Sequence, residues 1–234
     1  MDKSWQNEHG GNTLRASMIY SLRREEFLDF SANINPLGIP EVIKSALLEG
    51  IDNLTCYPDP ECTELREGIS KYLGVSEDCI ITGNGASEII FLAFDVLRPR
   101  RVLIPAPAFS EYNKAAFASG SEIEYLRLKE EEGFSLSLDD EFFKALKRAD
   151  AVFLCNPNNP TSTLMEKRDL TLLLNYAGES GKYVIIDEAF IELTLNGEKN
   201  SMSGALDRFE NLFIIRAFTK IFAIPGLRLG YGLG

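Results

Sequence analysis

The sequence predicts an α/β fold, a mostly parallel sheet flanked by helices, on three observations. From Cys79 onward, short apolar runs alternate with runs of helical spacing. Several of the short runs, AVFLC at 151–155 and YVIID at 183–187, are continuously apolar, as strands covered on both faces are. Polar or glycine-rich segments follow these runs, at the strand ends where open α/β sheets bind ligands.

Taken in order, residues 1–30 are polar and mixed and read as an N-terminal arm, marked by His9-Gly10-Gly11-Asn12. Residues 31–234 read as one large domain. Over 40–49 apolar residues fall at 42, 43, 46 and 47, a helical spacing, with Pro40 in the first turn and Gly50 at the end. A second helix is expected from Asp59 as N-cap and Pro60 at N1 to about residue 73, stopped by Gly74. A β run at 79–81 comes next. Further strands are expected at 101–104, 123–128, 151–155, 183–187, 212–215 and near 229, with helices at 87–97, 110–119, 139–148 and 167–177. The sequence closes on Gly230-Tyr231-Gly232-Leu233-Gly234, within an apolar strand that would expose an open sheet edge; it reads as part of a longer protein.

Composition narrows the function classes. With 45% hydrophobic and 25% charged residues the chain has a globular balance, which excludes disorder and collagen. Its longest apolar run, 89–94, is far short of the about 20 residues that span a bilayer, and the N-terminus lacks the apolar core of a signal peptide. A soluble, cytoplasmic protein is therefore expected. A net charge of −11 argues against a phosphate-backbone footprint and so against nucleic acid as partner. The four cysteines show no C-x-x-C spacing and the single His9 lies far from them, so no metal site is expected and the thiols read as reduced.

The strand ends carry the chemistry. After Ile81, Thr82-Gly83-Asn84-Gly85-Ala86-Ser87 feeds a helix, and such a turn offers backbone N–H groups and a positive dipole to a phosphate. It is neither the dinucleotide fingerprint, since Glu88 stands at its sixth position, nor a Walker loop; a plain turn capped by Ser87 is the alternative. After Cys155, Asn156-Pro157-Asn158-Asn159-Pro160-Thr161 makes a stiff loop whose amides can bind a ligand oxygen. Asp187 ends a buried strand and needs a partner, either a protonated ring nitrogen or an ordinary cap or arginine. Lys220 is hemmed by Phe218, Ile221, Phe222, Ala223 and Ile224, a setting that lowers an amine's pKa and makes it a nucleophile toward carbonyls. Arg228 follows as a bidentate donor to phosphate. A phosphate cradle, oxygen-binding amides, a carboxylate and an amine together match a site for pyridoxal 5′-phosphate.

These motifs, Asn159-Pro160-Thr161, Asp187-Glu188-Ala189 and Lys220 followed by Gly226-Leu227-Arg228, resemble the fold-type I, class I/II aminotransferase family, in family order and over nearly the whole chain. The resemblance implies that Lys220 attaches the cofactor, Asp187 pairs with its ring nitrogen and Asn159 reaches its ring oxygen. It implies that Gly85, Ala86, Ser87, Thr219 and Arg228 hold the phosphate and that Phe109 stacks on the ring, with Tyr112 as the other candidate. Tyr57 resembles the tyrosine that reaches the partner subunit's cofactor, which implies a homodimer. Within the family, His9 to Asn12, 29–38, 57–60 and Asp187-Glu188-Ala189-Phe190 look most like the threonine-phosphate decarboxylases of cobalamin biosynthesis. Histidinol-phosphate aminotransferases are next, and usually have Tyr at the place of Phe190. By that resemblance His9 and Asn33 line the pocket for a phosphorylated amino acid. The family pattern differs in having Ser at the place of Ala217 and Gly at the place of Ser162, and in a further small C-terminal domain with a carboxylate-gripping arginine. An inactive fragment that binds the cofactor is the alternative that this last difference raises.

Overall fold

The apolar runs assemble into one seven-stranded sheet in the computed structural model, which describes residues 10–234. Its strands are β1 (Ile80–Asn84), β2 (Arg101–Ala106), β3 (Glu122–Arg127), β4 (Ala151–Cys155), β5 (Tyr183–Asp187), β6 (Leu212–Ala217) and β7 (Leu229–Leu233). They lie in the order β1-β7-β6-β5-β4-β2-β3. Strands β2 to β6 pair in parallel, and β7 runs antiparallel to both β1 and β6. The expected open edge is thus corrected: β7 sits between two neighbours, with Ile80 and Ile214 both opposite Leu233.

Helices cover both faces. The chain contains α1 (Thr13–Tyr20), α2 (Glu41–Glu49), α3 (Thr63–Leu73), α4 (Ala86–Leu97), α5 (Ser110–Ser119), α6 (Asp140–Arg148), α7 (Lys167–Glu179) and the short α8 (Phe218–Ile221). One core cluster packs α4 and α5 on Val102, Ile104, Ala151, Phe153, Ile185 and Ile215. The other packs α3, α6 and α7 on the alternate residues of the same strands, among them Leu103, Val152, Leu154, Val184 and Ile214. This two-sided burial is why β4 and β5 read as unbroken apolar runs. The alternation also places Asp187 at the end of β5 on the α4–α5 side and Glu188 toward the opposite face.

Most expected bounds move by a residue or a few, and two expected helix caps change. The helix expected from Asp59 begins at Thr63, because Cys62 takes a left-handed backbone (φ 48°). Asp59 instead closes the preceding turn by accepting from the N–H groups of Glu61 and Thr63. The turn after β1 is capped by Gly85, one residue before α4, and not by Ser87. The arm carries a helix that its polar sequence did not announce, α1, whose cap Asn12 accepts from the N–H of Arg15. Among the described residues the first buried side chain is Ile69, so everything from 10 to 62 lies on the outside. Among those residues no helix is long and apolar enough to cross a membrane.

Candidate active site

Four strand ends converge at the carboxyl edge of the sheet. β5 delivers Asp187, which is 4% exposed. Its carboxylate accepts from Tyr112 Oη at 2.8 Å and from the N–H of Ala189 at 2.9 Å, and it has no ion pair among the described residues. Burial raises its pKa, and the two donors and Lys220 act in the opposite direction. Tyr112 comes from α5, is wholly buried, and meets Phe109 edge-on with ring centroids 5.7 Å apart. Its hydroxyl is thus a partner of Asp187. Phe109, half-buried at the start of α5, is the one with a partly open face.

β6 runs into α8, which carries Lys220. Its Nζ lies over the ring of Phe190, 5.7 Å from the centroid. Burial and the Arg228 guanidinium push the amine's pKa down, against the pull of Asp187. Asn35 holds this turn from outside: its N–H donates to the Lys220 carbonyl at 3.1 Å and its amide to the Ile221 carbonyl at 2.8 Å. Thr219 and Ala217 beside it are buried.

β1 leads into the turn at Gly85. Gly85 has φ +85°, and a Cβ there would stand 2.6 Å from Arg228 Nη2. The positive φ favours glycine here, and a side chain would make the guanidinium shift from its close approach. A Cβ on Gly230 would fall 2.4 Å from the Ala86 nitrogen, so β7 backs directly on the same turn. Glu88 closes the loop by accepting from the N–H and the side-chain amide of Asn84 at 2.6 and 3.0 Å. Among the described residues Arg228 makes only long hydrogen bonds, 3.4 Å to the carbonyls of Pro225 and Asn84, and it is exposed. An exposed guanidinium against a glycine turn and a helix N-terminus is a fitting cradle for a phosphate.

β4 delivers the asparagine loop. Asn156 is buried and accepts from the Met165 N–H at 2.8 Å. Asn158 donates to the Pro107 carbonyl at 3.1 Å and to Thr161 Oγ1 at 2.8 Å, tying this loop to the one bearing Phe109. Asn159 is half-buried and lines a cleft of about 890 Å³ together with Asn33, Phe190, Leu193, Asn196 and Asn200. The cleft meets the Lys220 region at Phe190, although Lys220, Asp187 and Arg228 are not on its wall. Ser162 adopts φ +61°, the backbone that favours the glycine usual in the resembling family.

Not every expected residue comes together. Tyr57 is fully exposed. His9 lies outside the described residues. Residues that sequence reasoning missed are Asn35 and Asn158, whose partners lie across loops, Glu88, whose partner Asn84 lies in the same turn, and Tyr112 in its role toward Asp187.

The sequence model of the aminotransferase class I and II family matches residues 25–234. The chain belongs to this aminotransferase family, whose members depend on pyridoxal phosphate. It is 38% identical over 224 residues to threonine-phosphate decarboxylase of Salmonella typhimurium, covering 95% of this chain and 60% of that protein. It is 37% identical over 226 residues to an adenosylcobalamin biosynthesis bifunctional protein of Leptospira interrogans, covering 95% of this chain and 26% of that one. Among solved structures, histidinol-phosphate aminotransferase from Clostridium acetobutylicum superposes with a TM-score of 0.80 at 40% identity, over 88% of this chain and 60% of that one. The chain thus spans less than two thirds of each of these relatives.

Proposed function

We propose that the protein is a pyridoxal-phosphate enzyme acting on a phosphorylated amino acid, and that its reaction is decarboxylation of O-phospho-threonine in cobalamin biosynthesis. The observation that carries the first part is the approach of the Arg228 guanidinium to the Gly85 turn, where an added Cβ would stand 2.6 Å from Nη2, near an amine of lowered pKa and a buried carboxylate. The residues present fit the cofactor. Gly85, Ala86, Ser87, Thr219 and Arg228 would hold its phosphate, Phe109 its ring face, Asn159 its ring oxygen, Asp187 its ring nitrogen, and Lys220 its carbonyl carbon. When bound, the cofactor supplies an electron sink for the bond broken at the substrate α-carbon. The chain's own residues bind and orient. The two donors to Asp187 favour its ionised form against the pull of burial, so that it would hold a proton on the group opposite it, and the apolar surroundings of Lys220 would favour the uncharged amine.

The substrate reading rests on the similarity to the Salmonella and Leptospira proteins and on Phe190, which puts a ring without a hydroxyl beneath Lys220. The cleft that Asn33 and Asn159 line is the place for the phosphorylated substrate, with His9 as a further donor. A homodimer, in which Tyr57 reaches the partner's cofactor, belongs to the same reading, supported by the full exposure of Tyr57 and the outward position of 10–62. The second reading, a histidinol-phosphate-type aminotransferase, is favoured by the 40% identity to the Clostridium enzyme. Supplying each substrate with and without 2-oxoglutarate separates them. Carbon dioxide from O-phospho-threonine, independent of 2-oxoglutarate, is expected. Glutamate from histidinol phosphate without that carbon dioxide would select the second reading.

A further inference from the structure

Behind Asp187, on the opposite face of the sheet, lies a buried charged cluster that the proposed chemistry does not use. Arg216, on β6 just ahead of the lysine turn, and Glu188, next to Asp187, are both wholly buried. Arg216 Nη1 lies 3.4 Å from Glu188 Oε2, and Nη2 lies 2.5 Å from Glu192 Oε1 and pairs also with Glu198. Glu188 further accepts from Ser201 Oγ at 2.6 Å and the Met202 N–H at 2.8 Å. The guanidinium also stands 5.9 Å from the centre of the Tyr231 ring, its cross-strand neighbour on β7.

Glu192 and Glu198 belong to the segment that supplies one wall of the cleft, including Phe190, Leu193, Asn196 and Asn200. That segment is a chain of short turns whose backbone hydrogen bonds reach only three residues, such as Leu193 to Phe190 and Gly197 to Thr194. Ile191 and Ser201 are buried at its ends, and no side chain between them is. Buried apolar side chains therefore do not anchor the middle of the wall, and the ion pairs of Arg216 bind it to the sheet, with a hydrogen bond between Tyr72 on α3 and Glu198 beside them. A buried ion pair adds little net stability over an apolar one, but it admits few geometries. We infer that Arg216 is a positioning residue: it pins the cleft wall at 190–200, through Glu192 and Glu198, to the strand that presents Lys220. This rests on the reading of the cleft as the substrate side.

Glu192→Ala and Glu198→Ala remove the pins while leaving the Arg216–Glu188 pair inside, so the fold keeps its neutralised core. Amide exchange in each is expected to quicken about tenfold or more at Leu193, Thr194, Gly197 and Lys199, with Ile185 and Ile186 on β5 unchanged. Borohydride labelling of Lys220 with pyridoxal phosphate is expected to persist, while O-phospho-L-threonine, followed by its effect on the cofactor absorbance, binds at least about fivefold more weakly. Glu198→Gln, which keeps an acceptor, should exchange within about twofold of the unsubstituted chain. Unchanged exchange over 191–200, or equal quickening over β4 and β5, would overturn the pin. Failure of the unsubstituted chain to label at Lys220 would contradict the cofactor reading instead, and the exchange rates alone would then decide the pin.

Discussion

Tyr112 Oη donates to Asp187 Oδ2 at 2.8 Å, and both residues are buried. Burial drives the carboxylate's pKa up, and the hydroxyl, with the Ala189 N–H, works against it. Tyr112→Phe removes a donor to the ionised form, so the Asp187 pKa should rise further and the acidic limb of the cofactor-absorbance titration should move to higher pH. A limb that stays in place would show that the hydroxyl does not tune Asp187. Leaving the carboxylate short of a partner should also lower stability by about 1–3 kcal/mol, read by thermal unfolding.

Asp187→Ala should leave the cofactor bound, because the phosphate cradle and Lys220 are untouched. Turnover should fall by about a hundredfold or more, since nothing then holds the ring nitrogen's proton. Retained turnover in a variant that still shows the cofactor absorbance would remove Asp187 from the chemistry.

At Gly85 the backbone is φ +85° and ψ 167°, a region open to glycine, and an added Cβ would meet the Arg228 guanidinium. Gly85→Ala should cost about 1–3 kcal/mol in backbone strain and displace Arg228 from the cradle. The expected readout is pyridoxal phosphate affinity at least about tenfold weaker, with the affinity of pyridoxal, which lacks the phosphate, little changed.

How far the sequence reached depends on the range of the interaction. Strands β4 and β5 were legible to the residue because helices cover both faces, which writes an unbroken apolar run into a short segment. The places of Asp187 and Asn159 after strands, and of Lys220 in the turn after β6, were legible because a strand end followed by polar residues is a local signal. The partner of Asp187 was not, since Tyr112 lies 75 residues away and helical spacing alone marks it as core. Arg216 was likewise hidden: a charged residue in an apolar strand says that a partner exists, but Glu188, Glu192 and Glu198 become its partners only when the 190–200 segment folds back. The start of α3 escaped because the left-handed turn at Cys62 has no glycine to announce it. The place of β7 inside the sheet is a matter of topology, which its own residues do not encode.

Glu188 gives a pH signature. Burial pushes its carboxyl up to about 7, against the Arg216 guanidinium and its hydrogen bonds. The folded state therefore keeps a proton that the unfolded chain releases near pH 4.5. The stabilisation is complete below about pH 4.5 and fades as pH rises through about 7. Comparing unfolding free energies of the parent and Glu188→Gln across this window isolates the contribution. The gap should shift in favour of the variant with rising pH. A gap that is constant with pH would mean that Glu188 is already ionised at its lower end.

Lys220 is proposed as the attachment point for pyridoxal phosphate. The direct measurement is borohydride reduction of the full chain incubated with pyridoxal phosphate, followed by peptide mass mapping. A visible absorbance that reduction abolishes, with the added mass on the peptide bearing Lys220 and absent in Lys220→Ala, is the predicted result. A label on another lysine, or none, would contradict the account.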